Sequence, residues 1–248
     1  MARPRKNPST EVATRGNTAV ANVDEQLAAE AAAIAENIQV GTGNAISIKD
    51  KAFTFPSGES TNEPIEAVIV DYTFRNQFYE GKYDPKNPSP PVCWAIGKLE
   101  SKLTPSSKVT NPESTDTCAS CPNNQFGSDG DGKACKNQLV LAVVAPDAGP
   151  DDPVMTISVP PTSLKPAKAY IATVAKLFGA SPVKVVTEIS MDPTPSYSKL
   201  MFKTVGPNDN YAAHFGRRAE AELALSAEPE PTEAPAKPKP RRGGRRAA

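Results

Sequence analysis

Apolar positions in the body of this chain come in short stretches whose period lengthens once and then returns, and those changes separate strands from helix. Ile46-Ser47-Ile48 and Phe53-Thr54-Phe55 alternate apolar with polar residues on either side of Lys49-Asp50-Lys51, which predicts two strands. Ile65 to Phe74 is a long β-type segment between Gly and Pro signals. Pro91 to Ile96, Leu139 to Val144 and Val154 to Val159 read as further strands. The period then lengthens. Leu164, Ala167, Tyr170, Ile171, Val174 and Leu177 fall at helical spacing, so the pattern predicts a helix from Ser163 to Phe178, stopped by Gly179. Val183 to Ile189 and Tyr197 to Val205 return to strand pattern as a hairpin around Asp192-Pro193-Thr194-Pro195, which is too rich in proline for a two-residue turn. About seven strands with one internal helix predict a mainly β (α+β) fold, arranged as a small closed or partly closed barrel.

The ends follow different rules. Residues 1–22 are polar and basic, with Arg3, Arg5, Lys6 and Arg15 against Glu11, and are expected to be a disordered arm. Asn22-Val23-Asp24-Glu25 resembles a capping box ahead of an Ala-rich run, so a short helix is expected over 23–37, carrying a weak stripe of Leu27, Ile34 and Ile38. The folded body is expected over 38–206. A second flanking helix is expected over 207–226, with Tyr211, Phe215, Leu223 and Leu225. A disordered tail over 227–248 then ends Arg241-Arg242-Gly243-Gly244-Arg245-Arg246.

Composition narrows the function less than it narrows the fold. The 248 residues carry 28 cations and 28 acids, so net charge argues for no polyanionic partner, and local clusters must carry any such case. No apolar run is long enough to span a bilayer, which predicts no membrane partner. The basic start is followed by no apolar segment of the secretory kind, so a cytoplasmic location is expected.

Candidate chemistry gathers between Cys93 and Cys135, a stretch made of the end of one predicted strand and the polar insert that leads to the next. It holds all four cysteines: Cys93, Cys118, Cys121 and Cys135. Cys118-Ala119-Ser120-Cys121 is a C-x-x-C knuckle, a gap that lets two thiolates reach one tetrahedral ion at about 2.3 Å, and Cys93 and Cys135 would complete the shell. Pro122-Asn123-Asn124 and the Gly- and Asp-rich run to Gly132 supply turns and almost no apolar content, so a metal would stand in for the missing core. Structural zinc is the favoured reading. Disulfides need an oxidising compartment, and a redox pair needs a helix after its C-x-x-C; neither sign is present. A closed four-thiolate site leaves no position for substrate.

The second informative stretch runs from Tyr72 to Trp94. Tyr72, Phe74, Phe78, Tyr79, Tyr83 and Trp94 are interleaved there with Arg75, Lys82 and Lys86. Exposed rings beside cations are the stacking elements used for single-stranded nucleic acid, and Arg241, Arg242, Arg245 and Arg246 would add phosphate contacts. Alternatively the rings pack a core and the tails serve solubility. Trp94, beside Cys93, is expected in the core. Catalysis finds little support, because the one histidine, His214, lies outside the body in the terminal helix and is expected at the surface.

A β-rich body interrupted by a cysteine knuckle, with aromatic and basic residues around the insert, resembles the bacteriophage single-stranded DNA-binding proteins that carry zinc in an OB-type barrel. The resemblance covers about Ile46 to Val205 and is one of architecture. It implies an OB-like fold, structural Zn2+ held by Cys118, Cys121 and Cys135, and Cys93 where the family's best-known member uses histidine. It also implies single-stranded nucleic acid, with DNA favoured, as partner, and a nonenzymatic role in replication or recombination beside replication proteins. This chain departs from that family in ending basic, where the family ends in an acidic tail that recruits partners. The alternative is a phage structural or assembly protein with a structural zinc site, and a zinc-bearing component of a transcription complex is a third option.

Overall fold

The computed structural model describes residues 23, 44–81, 89–114 and 116–229. The chain divides into two units, Met1–Gly43 and Asn44–Ala248. Val23, which is helical, is the one described residue of the first unit, so the helix expected over 23–37 otherwise lies outside the described residues, as do the arm over 1–22 and the tail from 230. The fold below is that of the second unit.

It is mainly β, built on one curled, mixed sheet. Among the described residues nine strands make it up: β1 (Ala45–Lys49), β2 (Ala52–Thr54), β3 (Ser60–Thr61), β4 (Ile65–Phe78), β5 (Cys93–Gly97), β6 (Lys136–Val144), β7 (Met155–Val159), β8 (Val185–Met191) and β9 (Leu200–Pro207). The order is β3-β2-β1-β7-β6-β4-β8-β9, with β5 added beside β4. Among the described residues only β1 and β7 pair in parallel; the other pairs are antiparallel. Among the described residues no pairing joins β3 to β9, so the two ends of the sheet do not meet.

β4 is the axis of the sheet, because its length lets three strands use it. β6 runs along one edge from Val144 opposite Val68 to Lys136 opposite Gln77, while the other edge is divided between β8 at Ile65–Ala67 and β5 at Phe74–Phe78. A register shift between Ile69 and Asp71 leaves Val70 extra. Such a bulge bends the strand and inverts its alternation. Ala67 and Ile69 therefore share a core with Tyr72 and Phe74 rather than with Asp71 and Thr73. Where β8 and β5 leave a gap, side chains fill in for the ladder: Lys98 Nζ donates to Tyr72 O at 2.8 Å and Thr73 Oγ1 donates to Gly97 O at 3.1 Å.

The sheet is covered on both faces. Ile46, Phe53, Ile69, Leu139, Leu141, Ile157 and Ile189 form the first core, against which helix α1 (Leu164–Phe178) packs Leu164, Ala167, Tyr170 and Ile171. Val68, Val70, Val140, Ala142 and Val144 form the second, closed by Ala221 and Leu225 of helix α3 (Arg218–Ser226). The run Leu139 to Val144 is wholly buried because it faces both cores. Each such aliphatic side chain contributes about 1.5–3 kcal/mol over its exposed state. α1 ends as its pattern predicts, at Gly179 with a left-handed φ of 57°. Leu177, placed on its apolar stripe by spacing, is instead 74% exposed, since Val174 is the last α1 residue the core buries.

The helix expected over 207–226 is two: α2 (Tyr211–Gly216) and α3, broken at Arg217. Arg217 is pulled toward the loop before β7, where its guanidinium donates to Gly149 O and Asp152 O and pairs with Glu220. His214, expected at the surface, is fully buried between Asn208 and Ala148 O. Its Nε2 donates to that carbonyl at 3.3 Å, so Nδ1 accepts from Asn208 Nδ2 at 3.1 Å. A histidine whose two nitrogens are satisfied by the fold serves packing. Among the described residues no helix is long and apolar enough to cross a membrane.

Candidate metal centre

The four cysteines reach one place by three routes. Cys93 opens β5 opposite Phe78, the last residue of β4. Cys135 directly precedes Lys136, the first residue of β6, which pairs with Gln77. Two ligand positions are thus set by strands on either side of the end of β4. Cys118 and Cys121 come from the intervening loop, where Cys118 N donates to Leu103 O at 2.7 Å and Cys118 packs with Ala95 and Leu103 under Phe74. All four line a single cavity of about 340 Å³ together with Asn76, Phe78 and Asn124.

The loop is held by hydrogen bonds where it lacks a core. Asn124 is buried and gives its amide to Cys118 O at 2.7 Å, and Gln125 gives its own to Ala119 O and Cys121 O. Cys135 N donates to Asn123 O at 2.8 Å, tying the fourth cysteine to the knuckle. Ser128 Oγ bonds Asn123 O and Gln125 O and accepts from Ala134 N. Gly127 and Gly130 take left-handed φ values of 90° and 58°, which supplies the turns that the Gly-rich run predicts.

The electrostatics of the cluster are unfavourable without a cation. Burial pushes the Cys93 thiol up to about 11 and Cys135 up to about 12, and the neighbouring thiols add to both shifts. Burial also raises Cys118, against which a hydrogen bond from Asn76 pulls down. Asn76 is fixed for that role, since its Oδ1 accepts from Asn137 Nδ2 at 2.6 Å and leaves its N–H groups to the sulfur. Four thiols lining one cavity, three of them held back from ionising by burial, are the donor set that a soft divalent cation neutralises, so the residues fit zinc in kind. Among the described residues no three His, Cys, Asp or Glu are placed to hold a metal ion as they stand. Closing a shell with bonds of about 2.3 Å requires the thiols to move inward.

The aromatic stretch is divided by the sheet. Tyr72 and Phe74 are half-buried against the first core in an edge-to-face pair, with Lys98 and Lys168 over their rings. Trp94 is buried, as expected. Arg75 points the opposite way and caps α3, its Nη2 donating to Leu225 O at 3.3 Å and Ala227 O at 3.2 Å. Phe78, half-buried, lines the cysteine cavity, whereas Tyr79, 37% exposed just past the end of β4, lies near Arg75. Lys82, Tyr83, Lys86, Arg241, Arg242, Arg245 and Arg246 lie outside the described residues.

Two features escaped the pattern reading. Asn76 carries no local signal, because only the pairing of β4 with β6 brings it to Asn137 and Cys118. Phe126 is 81% exposed in the knuckle with Lys133 Nζ 5.1 Å from its ring centre, an aromatic and cation pair outside the dense stretch. Compared with protein-family models, with curated proteins and with solved structures, the chain matches none.

Proposed function

We propose that this protein is a nonenzymatic, zinc-stabilised single-stranded DNA-binding protein acting in phage replication or recombination. The observation that carries the reading is the convergence of Cys93, Cys118, Cys121 and Cys135 on one cavity at the end of β4, where Phe78 lines the same cavity and Tyr79 is partly exposed. Zinc held there would lock the loop to the sheet, leaving no open coordination position for a reaction. A ring at the edge of such a lobe, as Phe78 is, suits stacking on unpaired bases. The nonenzymatic part is supported by His214, whose ring nitrogens are both engaged by the fold and serve no nucleophile. An OB-like barrel, the finer form of the fold, is supported by the bulged β4 passing from β8 to β5 along one edge, the device by which a small sheet curls.

The test is metal analysis of the reduced protein joined to fluorescence anisotropy with a labelled single-stranded oligonucleotide at low and at physiological salt. One zinc per chain and salt-sensitive binding are expected. Less than about half an equivalent of zinc, or no binding at low salt, overturns the reading. An assembly or interaction protein is the second reading, favoured by Leu177 and Leu223, which are 74% and 75% exposed on separate helices. Zinc without oligonucleotide binding would select it.

A further inference from the structure

We infer that the surface beside the end of α1, where two depressions are lined by Lys184 and Arg218 and these cations stand over the rings of Tyr211 and Phe215 on α2, is a binding track for single-stranded nucleic acid, with the two rings as its stacking platform; this rests on the DNA-binding reading above. Of the rings named from the sequence and described, Tyr72, Phe74 and Trp94 are largely taken up by packing, and Arg75 by the end of α3. The rings that combine exposure with a cation lie elsewhere.

Tyr211 and Phe215 sit four residues apart on α2, hence on one side of it, and are 41% and 50% exposed. Lys184 Nζ stands 3.1 Å from the Tyr211 ring centre, and the Arg218 guanidinium 4.6 Å from that of Phe215. The same two cations enter two depressions that meet at Ala180. One, of about 510 Å³, is lined by Phe178, Lys184 and the end of β9; the other, of about 530 Å³, by Arg218, Tyr72 and the Lys98–Asp71 pair. The two depressions are lined by Lys98, Lys184 and Arg218 against one acid, Asp71, already bonded to Lys98, while the exposed Asp209 lies two residues before Tyr211 and Glu222 one turn after Arg218. Arg218 is steadied at the edge of its depression by Nη2, which donates to Ser181 Oγ at 3.0 Å.

This surface suits a polyanion with open π-faces. Phosphates would follow the three cations, and bases would lie on the two rings and on Phe178, which is 52% exposed at the far end. A duplex hides its base faces and would use the cations alone. Phe215 and Tyr211 lie at the surface and outside the three cores, so their removal leaves the fold intact.

The experiment uses the full, zinc-replete chain and a labelled oligothymidylate, with a duplex of equal length as competitor. The double variant Tyr211→Ala/Phe215→Ala is expected to lose about tenfold or more in single-strand affinity, with little change for duplex. As a direct reading of stacking, the indole introduced by Phe215→Trp is expected to be quenched by the oligonucleotide; the single native tryptophan, Trp94, is buried and supplies the background to subtract. Unchanged affinity with no quenching overturns the track and leaves the DNA-binding reading to Phe78 and Tyr79. Equal losses for both substrates overturn the stacking platform in favour of a general electrostatic surface. If the unaltered protein binds no oligonucleotide, the underlying reading fails and the track with it.

Discussion

Cys93 and Cys135 differ from ordinary thiols because of where the fold puts them. Each is a partly or wholly buried group at a strand end, and each is pushed above the usual thiol value of 9.0, to about 11 and about 12, by burial first and by the other thiols second. In metal-free protein their contribution to stability is present below the thiol's ordinary value and is lost as pH rises through the folded values. Chelated, reduced protein is therefore expected to lose thermal stability between about pH 9 and pH 12, and zinc-loaded protein to resist that loss because its thiolates are already formed. Melting curves across that window, with and without chelator, check this; parallel curves would remove the thiols as the cause. Zinc uptake releases protons, so affinity should fall as pH falls. Cys121→Ser should lose both the metal and the order of the loop, a structural site being worth on the order of 10 kcal/mol to folding.

Among the elements, β4 and α3 are joined by one side chain whose role no local pattern announces. Arg75 alternates with the core-facing Phe74 and so projects to the other face, where it meets the last carbonyls of α3. Those groups have no partners within the helix and sit at the negative end of its dipole. Arg75→Ala is expected to cost about 1–2 kcal/mol and to speed amide exchange in α3, with zinc content unchanged. Equal exchange in both proteins would mean that water caps the helix as well as Arg75 does. The same contact bears on nucleic-acid binding, since lost affinity in an Arg75 variant would have to be separated from a loosened α3.

At the scale of the whole molecule, the end of α3 brings the root of the tail to the cysteine lobe. Glu228 accepts from Ser106 Oγ at 2.8 Å and pairs with Lys108 at 2.7 Å, on the loop that follows β5. These bonds hold its carboxyl below the usual carboxylate range. A deletion that tests the basic tail must therefore begin after Pro229, or it removes a structural contact along with the cations. Residues 230–248 carry six cations: Lys237, Lys239, Arg241, Arg242, Arg245 and Arg246. Their removal is expected to weaken oligonucleotide binding without abolishing it and to make the dependence of affinity on salt shallower, as fewer counterions are displaced. Titrations at several salt concentrations check this; unchanged affinity and slope would assign the tail to solubility.

The mainly β class, the positions of the major strands, the α1 helix with its Gly179 stop and the grouping of the four cysteines around a turn-rich loop were all legible along the chain. Each depends on neighbours in sequence: alternation, helical spacing, a C-x-x-C gap, a residue that tolerates left-handed backbone. The rest depends on which strand lies beside which. The bulge at Val70 turns Tyr72 and Phe74 inward, and the pairing of β4 with β6 carries Asn76 to Cys118. The break at Arg217 and the burial of His214 answer to carbonyls of the 148–152 loop, some 65 residues earlier in the chain. Aromatic density marked the stretch from Tyr72 to Trp94, but exposure is a property of packing. The rings left at the surface beside cations, Phe126, Tyr211 and Phe215, lie outside that stretch, and their exposure is set by packing that no local pattern encodes.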